Sequence, residues 1–372
     1  MQITNLVHKS YTNIVFLFAA ISLTITGCNV SNSSGSGGLE VDEWLINENE
    51  VMDGGPGIDG IPSIENPNFA TASDITDFQD SRRVAALRID DELRAYPHQI
   101  MDQHEIVNHQ VDRRSVTLSF CPLTGTSIGI DRQQTGGGFE FGVSGLLFRN
   151  NLIMYDRETR STWSQMQLRS VGGEFSGTDA ETILVIETTW GQWKEMYPDS
   201  DAMTKNTGFD NNYDIFVYGS DYTTNDSSIL FPIRNEDNRL QRKDRVHALL
   251  PAGANEESDV KAYPLSGFET GMTIIKDQFM GESFVLVGSH EIDLVSSFKL
   301  VTQFENNLEL EPVNGQLPIV MRDQHGNGWD IFGYALEGPN AGERLTAARG
   351  YTGYWFALSD FYPGIELYQE GE

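Results

Sequence analysis

Apolar and polar residues alternate in short runs along most of this chain, and few stretches carry a helical period. Residues 84–96 read VAALRIDDELRAY, apolar on both sides of Asp90-Asp91, which predicts a β-hairpin turning at the two aspartates. Residues 115–120 (SVTLSF) and 283–287 (SFVLV) are β-branched and apolar, as buried strands are. Residues 139–143 and 308–310 alternate, and 152–155 and 318–321 read as further strands. Helices are predicted at 96–108, after Pro97, at 190–196, and at a counterpart near 355–361. The expected fold class is therefore β-rich α+β with short helices.

The pattern also repeats. Arg94-Ala95-Tyr96-Pro97 returns as Lys261-Ala262-Tyr263-Pro264, Asp156 and Trp163 return as Asp323 and Trp329, and Trp190 with Tyr197-Pro198 returns as Trp355 with Tyr362-Pro363. Three matches in one order, at an offset of about 166 residues, predict an internal duplication. The product would be two similar β domains or one pseudo-symmetric pair. The first repeat is expected over 61–202 and the second over 246–372. Between them lies 203–245, rich in Asp, Asn and Tyr. Its oxygens could serve Ca²⁺, but it lacks the spacing of an EF-hand loop and reads as an ordered polar connector.

The start of the chain has a different character. Residues 1–27 have a weakly basic opening, an apolar run over 14–25 and a small-residue exit, the make-up of a secretory signal. Ile25-Thr26-Gly27-Cys28 resembles a bacterial lipobox, which implies lipidation of Cys28 and a membrane partner through that anchor. Asn29, where an aspartate would retain such a protein at the inner membrane, implies passage to the outer membrane of a Gram-negative envelope. Residues 28–60 open on a Ser/Gly/Asn run, become acidic, and are expected to form a flexible tether. The formal charge of −29 argues against nucleic acid and anionic lipid headgroups as partners, and leaves other envelope proteins as possible ones. The chain has two cysteines, so with Cys28 lipidated Cys121 has no intramolecular partner and no disulfide framework exists.

Candidate chemistry gathers around residues 94–132. Cys121 follows a predicted strand and precedes Pro122 and a hydroxyl-rich turn that includes Thr124. It could act as a nucleophile with His104 as its base, as a soft metal ligand with His104 and His109, or simply be a buried small residue. A Cys/His pair near Met101 or Met154 would suit copper. The histidine spacing excludes HExxH zinc-protease chemistry, since Ile106, Val107 and Asn108 follow His104-Glu105. Glu105 would orient the imidazole, and Arg157 would hold an anionic group. The run containing Asp156, Arg157 and Trp163 reads either as a capped turn or as part of a ligand pocket. There is no phosphate loop, dinucleotide fingerprint or nucleophile elbow.

The runs AYP, HEIVN, FCPLTGT, FEFGVSGLL and LIMYDRETRSTWSQM, followed by GG, a Trp and YP, resemble the bacterial DUF3179 family over roughly residues 60–370. The resemblance implies an extracytoplasmic protein and brings no established reaction. Many members have Cys-Pro-Leu-Cys where this chain has Cys121-Pro122-Leu123-Thr124, so a two-thiol site is unavailable here. The expected function is a lipid-anchored envelope protein with a ligand- or metal-binding accessory module. Its alternatives are an enzyme using Cys121 and a non-catalytic envelope scaffold.

Overall fold

A computed structural model describes residues 39, 41, 43–135, 138–300 and 308–369; Cys28 and the signal-like segment lie outside these. The unit of construction is the two-residue hairpin. Arg83–Ile89 pairs with Glu92–Pro97, and Asp90 turns the chain at φ 51°. Phe141–Phe148 pairs with Asn151–Asp156 around Arg149 and Asn150, both left-handed, and Thr273–Phe279 pairs with Glu282–Ser289 around Met280 and Gly281, again both left-handed. Two successive positive φ values suit the right-handed twist of the flanking strands. Among the described residues, 26 short strands fall into six sheets with only three α-helices, so the β-rich expectation holds.

The helix expected at 96–108 is the main departure. Only His98–Met101 (α1) is helical; Glu105 reverses the chain at φ 58°, and Ile106–Val111 is a strand paired with Arg114–Cys121. Ile106 packs into one core while Val107 and Val111 pack into another, so a strand with two buried faces uses its apolar residues on both sides. The other two helices are Trp190–Met196 (α2) and Trp355–Phe361 (α3), as the sequence predicts.

The tether expectation also needs correcting over the residues that are described. Leu45 N–H donates to Val171 O at 2.8 Å, Ile46 and Glu50 are buried, and Val51–Asp53 pairs with the strand Phe141–Phe148. The acidic stretch stays on the body because its carboxylates find arginines, Glu50 with Arg149 at 2.8 Å and Asp59 with Arg157 at 2.6 Å.

Two sheets share one plan. Each is led by a hairpin, Arg83–Ile89 with Glu92–Pro97 in one and Arg245–Leu249 with Lys261–Pro264 in the other. Beside the first strand runs an antiparallel strand that enters a helix directly, Val185–Thr189 into α2 and Gly350–Tyr354 into α3. Beside the second runs a short parallel strand, Asp201–Met203 or Glu366–Leu367.

The cores cross between the halves. One joins Val84, Leu87, Tyr96 and Trp190 to Val285, Phe298, Trp329 and Phe332; another joins Ile106, Cys121, Phe141 and Trp163 to Val246, Tyr351, Trp355 and Phe361. Even the recurring tyrosines reach across, Tyr197 to Asp330 at 3.3 Å and Tyr362 to the Met166 carbonyl at 2.8 Å. The halves thus interlock within one compact unit. From Thr204 to Asp244 the chain forms turns without regular elements, a strap tied down by side chains. No helix among the described residues is long and apolar enough to cross a membrane.

Candidate functional site

Where the first-half hairpin sheet meets the second half, charged side chains converge at the floor of a cleft of about 280 Å³. Glu187 lies in the middle of Val185–Thr189, opposite Ala85. One of its oxygens pairs with Arg245; the other accepts from the Ser127 hydroxyl and lies 3.1 Å from His98 Nε2. Asp293, at a turn with φ 54°, bridges Arg245 and Arg83. Burial alone would raise both carboxyls, but the arginines overcome it: Arg245 holds Glu187 below its ordinary value, and Arg245 with Arg83 holds Asp293 far below. Burial lowers His98 against the pull of Glu187, so the ring is neutral, donates through Nε2 and leaves Nδ1 as an acceptor.

Ser127, His98 and Glu187 are not a hydrolase triad. Both the hydroxyl and the carboxylate address the same ring nitrogen, at 3.3 and 3.1 Å, whereas a triad places them on opposite nitrogens.

Above the floor the walls mix apolar and polar groups. Phe120 stacks on His98 at 4.0 Å between centroids, with Pro122 and Phe216 alongside. Gly125 lies under Tyr354 at φ 65°, where a Cβ would come within 2.8 Å of that ring, so only glycine fits. Arg82, Gln99 and Asp102 also line the cleft, and burial pushes the Asp102 carboxyl up to about 8 against Arg82 and Arg83.

None of the residues singled out by sequence lines this cleft. Cys121 neighbours Phe120 and Pro122 but points to the opposite core; it is 1% exposed, its sulfur lies 3.8 Å from the Asn150 carbonyl, and burial pushes the thiol up to about 11. His104 has both ring nitrogens engaged, Nδ1 with Pro62 O at 2.8 Å and Nε2 with the Tyr213 hydroxyl at 2.7 Å. His109 Nε2 meets the Tyr96 hydroxyl at 2.6 Å, and burial takes the ring down to about 4. Each histidine is held by a phenol rather than by the thiol, so neither the nucleophile pair nor the copper set is assembled. Among the described residues no three His, Cys, Asp or Glu side chains gather as a metal site.

Glu105 does not orient His104; its carboxyl receives the Tyr218 hydroxyl at 3.3 Å, and burial raises it to about 7. Thr124 belongs to a buried polar network with Thr126, Asn151 and Gln165. Arg157 holds an anion, but it is Asp59 of the chain itself. Trp163 is buried and donates Nε1 to Asp156 at 3.2 Å, just as Trp329 donates to Asp323 at 3.0 Å, so the repeated pair serves the fold.

The cleft residues Arg83, Glu187, Arg245 and Asp293 escape a sequence reading because they come from four distant segments. One local signal was present: Glu187 interrupts LVIETTW, and a carboxylate inside an apolar strand needs a buried partner.

No curated protein and no solved structure matches the chain. Residues 58–365, most of the sequence and all of the cleft, match the family described as "Protein of unknown function (DUF3179)". Within the matched range, the run FCPLTGT supplies Phe120, Pro122 and Gly125 to the cleft wall. The chain belongs to the DUF3179 family.

Proposed function

We propose that this is a lipid-anchored envelope protein whose body is a ligand-binding module, with the cleft above Glu187, Arg245, Asp293 and Arg83 as its binding site. One observation carries the reading. A lattice of opposed charges is buried at the base of an open cleft, although an apolar base would join the halves at lower cost. Desolvating each ion costs several kcal/mol, so such lattices are better suited to presenting fixed charge than to stability. The lipobox-like Ile25-Thr26-Gly27-Cys28 supports the anchor, and Asn29 an outer-membrane address. The shared plan of the two hairpin sheets and the paired Asp–Trp contacts support an origin by internal duplication. Cys121 as nucleophile loses ground because its thiol is buried and protonated.

Fragment screening by crystal soaking tests the cleft. Ser81 is an exposed lining residue, so Ser81→Trp should plug the mouth without disturbing the floor. Fragments should gather in the cleft of the wild type and be lost from Ser81→Trp, with melting unchanged. Hits that gather elsewhere would leave the scaffold reading in its place. For the anchor, Cys28→Ser should move the protein from the membrane fraction to the soluble one.

A further inference from the structure

Three polar groups lining the cleft have no partner for at least one end. The Arg82 guanidinium makes no hydrogen bond, ion pair or ring contact among the described residues, although all the other arginines of the cleft are paired. Asp102 is 5% exposed, and neither carboxyl oxygen accepts a hydrogen bond from the protein. Gln99, also 5% exposed, donates Nε2 to Asp214 at 2.8 Å; this fixes the amide and leaves its buried Oε1 without a donor. A buried acceptor left this way has lost its water without gaining a partner, a cost that a ligand donor would recover.

We infer, resting on the cleft reading above, that the site takes a small carboxylate carrying an amine or hydroxyl beside it, the α-amino or α-hydroxy acid class. Arg82 holds the carboxylate, while Asp102 and Gln99 accept from the neighbouring donor. The planar guanidinium matches a carboxylate through two parallel hydrogen bonds. Charge counting selects a singly charged acid group. Arg83 and Arg245 are already consumed by Asp293 and Glu187, so among the described residues Arg82 is the one cleft arginine outside a direct ion pair. A phosphate dianion would bring one negative charge too many into a chain already at −29. Phe120, Pro122 and Phe216 form the wall for an apolar substituent.

Four probes of one skeleton separate these features: 3-phenylpropionate has the carboxylate alone, phenethylamine the donor alone, and 3-phenyllactate and phenylalanine have both. Calorimetry on the full chain in detergent should show the last two binding about tenfold or more tighter than the first two, the worth of one further charge-assisted contact. Arg82→Gln should bring every carboxylate down to the level of phenethylamine. Asp102→Asn keeps the shape of a protonated carboxyl and should weaken phenylalanine while sparing phenyllactate. If propionate and lactate probes bind alike, or Arg82→Gln changes nothing, the acid assignment falls. Should fragments occupy the cleft while all four probes fail, the assignment falls and the cleft reading stands. An empty cleft in the fragment screen removes both.

Discussion

Glu105 turns the chain at φ 58°, and the residue is 6% exposed. Burial raises it from 4.5 to about 7, so the native state keeps a proton that the unfolded chain releases earlier. The stability this group contributes is complete below 4.5 and is lost as pH rises through about 7. Glu105→Gln keeps the shape and cannot ionise. Its stability relative to wild type should climb across that window and then level off, by up to about 3 kcal/mol. Urea melts on either side of the window check this; an equal difference at both ends would refute it. Cys121 gives a second expectation at this scale. With its thiol buried and raised to about 11, it should resist alkylation in the native protein and react only as the chain unfolds. Fast labelling at neutral pH would show an access route to the sulfur. Cys121 also shows how near a sequence reading can come. The run around it does line the cleft, but strand alternation gives the cleft to Phe120 and turns Cys121 away, a distinction that depends on which face is which.

Among the described residues, the strap from Thr204 to Asp244 is the longest stretch without helix or strand, and loops of that length in compact bodies usually serve function. It lends Phe216, Thr223 and Thr224 to the cleft. Tyr222 pins it, donating its hydroxyl to Leu123 O at 2.9 Å with the Lys243 amine 3.4 Å from its ring centre. Tyr222→Leu should therefore raise hydrogen exchange across the strap by about tenfold while the strands keep their protection. Loss of protection throughout would mean that strap and body unfold together. The sequence could mark this segment as an ordered connector but not as a cleft wall, because its anchors are single side chains without a period. The hairpins were legible for the opposite reason: Asp90-Asp91 and the apolar runs beside it carry their instruction locally. Residues 106–111 misled because Ile106-Val107 packs on two faces at once, which hides the strand period.

For the molecule as a whole, 54 acidic residues face 25 basic ones. Added sodium chloride should raise Tm steadily as the screening length falls from about 10 Å at 0.1 M to about 3 Å at 1 M. The buried floor of the cleft is shielded from this effect, so a falling Tm would show that exposed ion pairs outweigh surface repulsion. The interlocked cores have a consequence for synthesis. A chain delivered from its N-terminus presents the apolar strand faces of residues 51–203 before Val246 and Val285 arrive to close either core. Early folding of the leading half has no finished surface to settle on. Until the tail is free those core faces stay open, and a stalled ribosome would leave a sticky fragment rather than half a working molecule.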